Sequence, residues 1–369
     1  MAESTDLFVV GGGPAGLAAA IAARQQGFRV IVADGAQPPI DKACGEGFLP
    51  DGLAAIEQLG IHLGLAGPHP FCGIRFVSAE NSAEALFPGG GRGLSIRRTL
   101  LHNLMVERAA QLGAELWWRT PVTGISANHV HLGSRAVRTR WIVGADGSNS
   151  RVRRWARLDS GPRFRYRYAY RQHFRVAPWT NFMEVYWGDT CQGYATTTGS
   201  DEVCVALASH DPHLRLQQGL RALPALAARL QNAETVSTER GALTGNRILR
   251  RAFRGNVALI GDASGGVDAI TGEGIGLAFS QAVVLAACLR TGNLGRYQSE
   301  HRRLALRPLV MARLMLTLDG RPGLQRRTLE VFRRRPEIFA RLLALHVGSL
   351  SPLHVAFDGL TLGWNLLTT

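Results

Sequence analysis

The chain has 369 residues and a formal charge of +14, with 42 basic against 28 acidic side chains. Because a single hydrophobic core stops growing at roughly 250 to 300 residues, we expect two domains in a protein of otherwise ordinary globular composition. Five cysteines form neither a CxxC pair nor a zinc-ligand spacing, so the sequence predicts no metal site and no full disulfide framework.

Charge and hydropathy restrict the partners. The arginines are scattered and no nucleic-acid-binding motif is present, so we expect no nucleic acid. The positive charge favours anionic partners, namely NADPH, an acyl-carrier protein or an anionic membrane surface. The first predicted strand begins close to Met1, which leaves no space for a signal peptide, and no stretch predicts a transmembrane span. We therefore expect a cytoplasmic protein, with peripheral contact to the inner face of the membrane as an option.

Residues 6 to 34 read in order as a strand, a glycine turn, a helix of small residues and a second strand, the pattern of a dinucleotide-binding βαβ unit. Its glycines allow a tight turn, close approach of backbone N–H groups to a pyrophosphate and close packing of the helix, whose N-terminus favours phosphate. The turn and helix start comprise Gly11, Gly13, Pro14, Ala15 and Gly16. Asp34 ends the second strand, where a carboxylate can accept hydrogen bonds from both hydroxyls of an adenosine ribose.

A loop rich in proline and glycine follows, and its Cys44-Gly45-Glu46-Gly47 segment is too specific for a plain linker. The pattern beyond this loop predicts two helices and several strands before the middle of the chain. The helices span residues 51 to 61 and 98 to 112, and the strands fall within 71 to 87, 114 to 119, 122 to 137 and 139 to 145.

From residue 163 to 208 the hydrophobic period changes to two, which predicts an antiparallel sheet with one wet face and one apolar face. Its candidate substrate-binding side chains are Tyr186, Tyr194 and Thr196. Residues 212 to 231 predict a helix, and residues 256 to 260 return to the parallel sheet. Residues 275 to 369 read as mostly helical, with breaks expected at Pro308, Pro322, Pro336 and Pro352.

Two later segments each place an aspartate at the carboxyl end of a buried strand, where open α/β sheets bind ligands. GADGSNSRVR at residues 144 to 153 places Asp146, and NVALIGDASG at residues 256 to 265 places Asp262 toward the ribityl hydroxyls of a flavin. The following TGEGIG opens a helix whose free N–H groups can face the isoalloxazine and stabilise charge on the reduced ring. The residues at that helix start are Gly272, Gly274 and Ile275.

These three segments, in this order and spacing, resemble the FAD-dependent aromatic hydroxylase superfamily, which includes para-hydroxybenzoate hydroxylase-like enzymes, geranylgeranyl reductases and flavin halogenases. The resemblance spans about residues 5 to 290. It implies FAD, with Asp146 supporting the pyrophosphate region, Arg98 contacting the FAD phosphates and the backbone of Val122 meeting the adenine. Arg97 is the alternative to Arg98.

The resemblance also implies an α/β fold: a Rossmann-like FAD-binding domain of the glutathione reductase-2 type, an inserted antiparallel β-sheet substrate domain and a helical C-terminal region. The expected FAD-binding domain is discontinuous, and the substrate domain is inserted into it. The boundaries are 1–70, 94–160 and 248–290 for the FAD-binding domain, 71–93 and 161–247 for the substrate domain, and 291–369 for the C-terminal region.

Details favour one branch of the superfamily. Gly265 and Ala269 stand where hydroxylases of the para-hydroxybenzoate type usually have a histidine and a proline. GDASG, TGEGI and CGEG look more like the geranylgeranyl reductase and halogenase branches. The halogenase interpretation fails because no WxWxIP segment exists and the only lysine of the sequence, Lys42, lies in the loop after the second strand.

The resemblance implies an NAD(P)H-dependent FAD monooxygenase that hydroxylates an aromatic or polyketide-like lipophilic small molecule through a flavin C4a-hydroperoxide. A reductase of carbon–carbon double bonds is the alternative. No second GxGxxG follows a strand, so we expect NAD(P)H to reach the flavin transiently. In relatives the loop after the second strand covers the flavin, which makes Gly45 a cofactor-binding candidate and makes Cys44 and Glu46 catalytic candidates. Glu46 can donate or accept a proton, or it can make a structural hydrogen bond to the backbone. Cys44 can take part in the reaction, or it can be a small packed thiol.

Overall fold

The computed structural model describes residues 4–64, 67–78, 81–159 and 166–350. The start of the predicted substrate sheet at 163 to 165 and the expected break at Pro352 therefore lie outside the described residues. The helices are α1 (Pro14–Gln25), α2 (Pro50–Gln58), α3 (Arg98–Gln111), α4 (Arg151–Trp155), α5 (Leu216–Leu220), α6 (Pro224–Arg229), α7 (Gly274–Arg290), α8 (Leu294–Leu318), α9 (Pro322–Arg334) and α10 (Pro336–His346).

Short strands outnumber the helices. They are β1 (Ser4–Val10), β2 (Val30–Ala33), β3 (Gly47–Phe48), β4 (His69–Phe71), β5 (Gly73–Val77), β6 (Ser82–Leu86), β7 (Gly93–Ser95), β8 (Glu115–Trp117), β9 (Gly124–Ser126), β10 (His129–Leu132), β11 (Arg135–Gly144), β12 (Arg167–Arg175), β13 (Met183–Trp187), β14 (Cys191–Gly199), β15 (Glu202–Ser209), β16 (Glu234–Thr235), β17 (Arg240–Thr244), β18 (Arg247–Ile248), β19 (Phe253–Arg254), β20 (Val257–Leu259) and β21 (Gly265–Gly266).

The first sheet is largely parallel and has the strand order β19-β20-β11-β1-β2-β8, with β10 also paired to β11 and β9 paired to β10. Its central strand, β1, is apolar on both faces because both faces are covered. Leu7 and Val9 pack against the side formed by α1, α3 and α7, and Phe8 and Val10 pack against the opposite cluster. Because β1, β2, β8, β11 and β20 run parallel, their carboxyl ends lie at one edge of the sheet.

The second sheet has the order β16-β12-β15-β14-β13-β5-β6, with β17 also paired to β12. The predicted antiparallel pairing holds for most neighbours, but β5 and β13 run parallel. The prediction of a wet face is wrong for the basic residues of β12. Arg167, Arg171 and His173 are each 1% exposed because acidic residues from distant segments reach and pair with them.

Three C-terminal helices complete the molecule. Phe332 of α9 and Phe339 of α10 stack on each other and pack at a tilt against Phe76 of the second sheet. The predicted break at Pro308 is wrong: the proline lies inside α8, where it is buried and removes only one N–H donor from a helix held by packing. The single helix predicted over 212 to 231 is two short helices, α5 and α6.

Candidate cofactor and substrate site

A cavity of about 680 Å³ lies where the carboxyl ends of β1, β2, β11 and β20 face the second sheet and the C-terminal helices. Most of the side chains and backbone segments predicted from the sequence meet there. Those lining it are Gly11, Gly13, Pro14, Ala15, Asp34, Cys44, Gly45, Glu46, Arg98, Val122, Asp146, Tyr194, Thr196, Asp262, Gly272, Gly274 and Ile275. Gly16 and Tyr186 do not line it.

The glycine turn after β1 brings three chain segments into close contact. Gly11 has φ +108°, and a Cβ there would lie 2.5 Å from the carbonyl oxygen of Ala145. A Cβ at Gly16 would lie 1.8 Å from the carbonyl oxygen of Gly11, so this glycine sits behind the cavity and permits close packing of α1. A Cβ at Gly13 would instead meet no atom within 4 Å. Gly13 therefore opens the start of α1 to the cavity.

The same open space recurs at the glycines on the other sides of the cavity. Gly45, Gly272 and Gly274 each have no atom within 4 Å of an added Cβ. Gly272 has φ +69°, a conformation that favours glycine, and it ends a turn directly before α7. Two helix N-termini, those of α1 and α7, thus meet the cavity across unobstructed backbone, which is the form of site that an elongated cofactor with a pyrophosphate fits.

Polar side chains at the rim are held by local hydrogen bonds. Asp34 Oδ2 accepts from the N–H of Gly12 at 2.7 Å, and its Oδ1 accepts from the N–H of Ala36 at 2.8 Å. Asp146 accepts from the N–H of Arg151 at 2.6 Å, so its carboxylate caps α4. Asp262 remains half exposed, with Oδ2 3.9 Å from Lys42 Nζ.

The two candidate arginines separate clearly. Arg97 forms an ion pair with Glu202, with Nη2 2.6 Å from Oε2, and is turned away from the cavity. Arg98 lines the cavity, and its backbone N–H donates to Glu46 Oε1 at 3.0 Å. Of the pair, Arg98 is the one able to meet a bound phosphate.

The loop before β3 presents Cys44 to the cavity and draws Glu46 inward. Glu46 is 3% exposed and has φ +59°. Its Oε2 lies 2.7 Å from His173 Nε2 of the second sheet. Burial raises the pKa of the Cys44 thiol, which keeps it neutral. Glu46 fastens the loop to the second sheet, and Cys44 and Glu46 both line the cavity.

The substrate-side predictions divide by strand face. Tyr194 and Thr196 line the cavity, and the Tyr194 hydroxyl donates to Gln192 Oε1 at 3.0 Å. The prediction for Tyr186 is wrong, because Val185 and Trp187 occupy the cavity face of β13 and period two turns Tyr186 to the opposite face. There its hydroxyl donates to buried Glu184 at 2.5 Å.

The far wall of the cavity is formed by α8, α9 and α10 and is mostly apolar, although Thr317 and Thr328 also line it. Hydrocarbon and aromatic side chains make up most of this wall. They are Met311, Leu314, Met315, Leu318, Leu324, Phe332, Phe339, Leu342 and Leu343. Sequence reasoning missed the histidines around the site. His102 of α3 contacts the carbonyl oxygen of Gly12 at 2.9 Å, His173 contacts Glu46, and His346 ends the far wall. Only His173 had a usable signal, its place in the alternating pattern of β12.

Comparisons with known proteins agree with this geometry. A family model described as an FAD binding domain matches residues 4–300. The chain is 25% identical over 328 residues to a digeranylgeranylglycerophospholipid reductase from Methanococcus vannielii, covering 81% of this chain and 80% of the relative. It is 29% identical over 330 residues to a menaquinone reductase from Mycobacterium tuberculosis, covering 80% and 78%.

Among solved structures, a probable FAD-dependent monooxygenase from Pseudomonas aeruginosa superposes with a TM-score of 0.72 at 21% identity, covering 86% of this chain and 97% of that one. At this identity the likeness extends to the fold, and it confirms the predicted architecture.

Proposed function

We propose that this chain, which belongs to the FAD binding domain family and is an FAD-dependent oxidoreductase, reduces carbon–carbon double bonds. The proposed substrate is a long lipophilic, isoprenoid-like molecule. The observation that carries the proposal is the far wall of the cavity, which is mostly hydrocarbon and aromatic and is contributed by three helices, α8, α9 and α10. Similarity to two reductases over most of the chain supports it. The sequence resemblance implied hydroxylation, with double-bond reduction as the alternative, and the cavity wall and the two relatives now favour reduction.

The residues around the glycine turn fit FAD, because the cavity leaves open the space that side chains at Gly13, Gly45 and Gly272 would fill. In this proposal the start of α1 and Arg98 hold the phosphates, Asp34 the adenosine ribose and Val122 the adenine. Asp146 shapes the pyrophosphate region, Asp262 meets the ribityl chain, and Gly272, Gly274 and Ile275 at the start of α7 meet the ring. Bound FAD would supply hydride transfer, with NAD(P)H as the transient reductant.

The protein groups have separate tasks in this proposal. The apolar far wall excludes water and aligns the flexible substrate chain. Tyr194 and Thr196 line the part of the cavity nearer the cofactor and limit the position of the substrate there. Glu46, engaged by His173 and by the backbone of Arg98, holds the loop in position. Cys44 faces the reacting region as a neutral thiol.

A monooxygenase is the second candidate, and the polar patch beside the cavity favours it. The Tyr194 hydroxyl and Arg167 Nη2 both donate to Gln192 Oε1 at 3.0 Å, a fixed hydrogen-bonded wall suited to an aromatic ring with an oxygen substituent. Hydroxylation needs molecular oxygen, whereas double-bond reduction does not.

Oxygen dependence therefore tests the proposal. The purified protein with FAD and NAD(P)H is incubated with vesicles containing digeranylgeranylglycerophospholipid or menaquinone, in air and anaerobically, and products are analysed by mass. We expect a product heavier by two hydrogens in both conditions. A product that forms only in air and gains one oxygen would establish the second candidate instead.

We also propose an anionic membrane surface as the place where such substrates are met. Leu306, Val310 and Leu314 follow one side of α8 and are 61%, 50% and 38% exposed, and Leu314 also lines the cavity. Exposed Arg313 lies beside them, a pattern that suits anionic headgroups. Among the described residues no helix has the length and apolar character to cross a bilayer. Flotation with anionic liposomes should carry the protein upward at low salt, and absence from the lipid fraction at every salt concentration would reject the surface.

A further inference from the structure

Two buried titratable side chains meet at the boundary between the large cavity and a smaller one. Glu273 immediately precedes α7 and is 5% exposed, and His346 ends α10 and is 4% exposed. His346 Nδ1 lies 3.4 Å from Glu273 Oε2. His346 lines the large cavity together with Thr271 and Gly272, at the helix start assigned above to the flavin ring. The pair therefore lies beside the region where the chemistry is proposed to occur.

Hydrogen bonding fixes how protons are arranged on the pair. His346 Nε2 lies 3.0 Å from the carbonyl oxygen of Thr271. Because a carbonyl oxygen only accepts, Nε2 carries hydrogen, and Nδ1 of the neutral ring is an acceptor. Among the described residues neither Nδ1 nor Glu273 Oε2 has another hydrogen-bond partner. A protonated Glu273 carboxyl is the donor that satisfies both atoms.

Burial acts on the two groups in the direction that this arrangement needs. It raises the pKa of Glu273 to about 8 and lowers the pKa of His346 to about 4. The charged groups facing the pair are Arg307 of α8 and Asp51 of α2. Arg307 Nη2 donates to Glu273 Oε1 at 3.1 Å and also contacts Asp51. Near neutral pH the carboxyl and the imidazole are both uncharged and share one transferable proton.

A small cavity of about 50 Å³ lies on the other side of Glu273, lined also by Asp51 and Arg307. Asp51 and Arg307 side chains are each 28% exposed, so this cavity is close to solvent. A space of this size exceeds the roughly 10 to 15 Å³ that one water molecule requires. Glu273 thus has a route to water on one side and His346, at the wall of the large cavity, on the other.

We propose that Glu273 and His346 supply the proton consumed when a double bond is saturated, an inference that rests on the reductase function proposed above. Saturation adds one hydride and one proton across the bond, and a reduced flavin provides the hydride. His346 gives its Nε2 proton, which leaves the carbonyl oxygen of Thr271, to the second carbon as the carboxyl proton of Glu273 moves to Nδ1. After the product leaves, Nδ1 returns that proton to Glu273 and a solvent proton restores hydrogen on Nε2, so each turnover takes one proton from water. His346 is then the catalytic acid. Glu273 is a positioning residue that acts through His346.

Glu273→Gln is the sharpest variant, because its amide can still donate to Nδ1 but has no proton to transfer. Reduced protein is mixed anaerobically with the isoprenoid substrate, and flavin reoxidation is followed by absorbance in H₂O and D₂O. We expect reoxidation at least tenfold slower with a larger solvent isotope effect, while reduction by NAD(P)H is unchanged. His301→Gln is the control, since His301 is a half-buried histidine whose pKa is also lowered to about 4 but which does not line the cavity. Wild-type reoxidation by Glu273→Gln would overturn the proposal.

A second measurement does not depend on turnover. Nitrogen NMR of the FAD-bound protein labelled at histidine, with His346→Gln to assign the signal, reports protonation directly. We expect a neutral ring with hydrogen on Nε2 from pH 5 to 7.5. A charged ring or hydrogen on Nδ1 at pH 7 would overturn the shared proton. If the wild-type protein reduces neither substrate, the proposed function fails, whereas an active wild type with an equally active Glu273→Gln rejects only the proton supply.

Discussion

Arg167 is a buried cation paired with two enclosed carboxylates, and its removal gives a sharp stability prediction. The residue is 1% exposed, and its Nη1 donates to Asp268 Oδ1 at 2.9 Å. Its Nε lies 3.2 Å from Asp319 Oδ2. Arg167→Met keeps the volume but leaves two enclosed carboxylates without their cation. Because breaking a buried pair by removing one partner costs about 3 to 5 kcal/mol, we expect a loss of stability of at least that size.

Urea unfolding at pH 7, followed by tryptophan fluorescence, measures this loss as a shift of the midpoint at constant slope. Arg175→Met is the matched control on the same strand, since the Arg175–Glu234 pair is 58% and 67% exposed and should contribute less than about 1 kcal/mol. Adding Asp268→Asn and Asp319→Asn to Arg167→Met should recover part of the loss. Equal stabilities for the two methionine variants would refute the reasoning that burial makes this charge matter.

Three further outcomes follow from the cavity. Gly13→Val should abolish FAD retention, measured by flavin absorbance. The free energy of unfolding of the cofactor-free variant should stay within about 1 kcal/mol of the wild-type value. The control Gly323→Val on α9 should retain FAD. Because the pKa of Glu273 is raised to about 8, the folded protein keeps a proton that the unfolded chain has lost, so stability falls as pH rises to 8. Between pH 6.5 and 8 the stability of the wild type measured against that of Glu273→Gln should fall by about 2 kcal/mol in urea titrations. Tyr194→Phe should lower kcat/KM at unchanged stability, whereas Tyr186→Phe should cost about 1 kcal/mol of stability at unchanged kcat/KM.

Local sequence patterns predicted which backbone segments meet at the cavity. The glycine turn around Gly13 and the TGEGIG segment specify backbone conformation over a few residues, so their place at the cavity could be read without knowing the rest of the fold. The hydrophobic period also distinguished the strands of the second sheet from the C-terminal helices. It did not reveal which face of β13 turns inward, because that depends on the neighbouring sheet and helices, and Tyr186 was therefore assigned to the wrong side.

Partnerships between distant segments could not be read from the sequence. His173 and Glu46 are 127 residues apart, and His346 and Thr271 are 75 apart. Alternation in β12 was visible, yet burial of its basic residues depends on acids that tertiary folding delivers. A cluster of this kind becomes predictable only when the sheet order is known.

The far wall of the cavity comes from residues after position 310. The glycines at the opposite side of the cavity, from Gly11 to Gly274, all come from residues before 280. The residues proposed to hold FAD and the residues proposed to contact the substrate chain thus come from different parts of the sequence. Exchanging side chains such as Met315 or Phe332 for larger or smaller ones should change how long a chain is accepted while the flavin stays seated. We therefore expect substitutions in the last helices to change which substrate is accepted without changing the residues proposed to hold FAD.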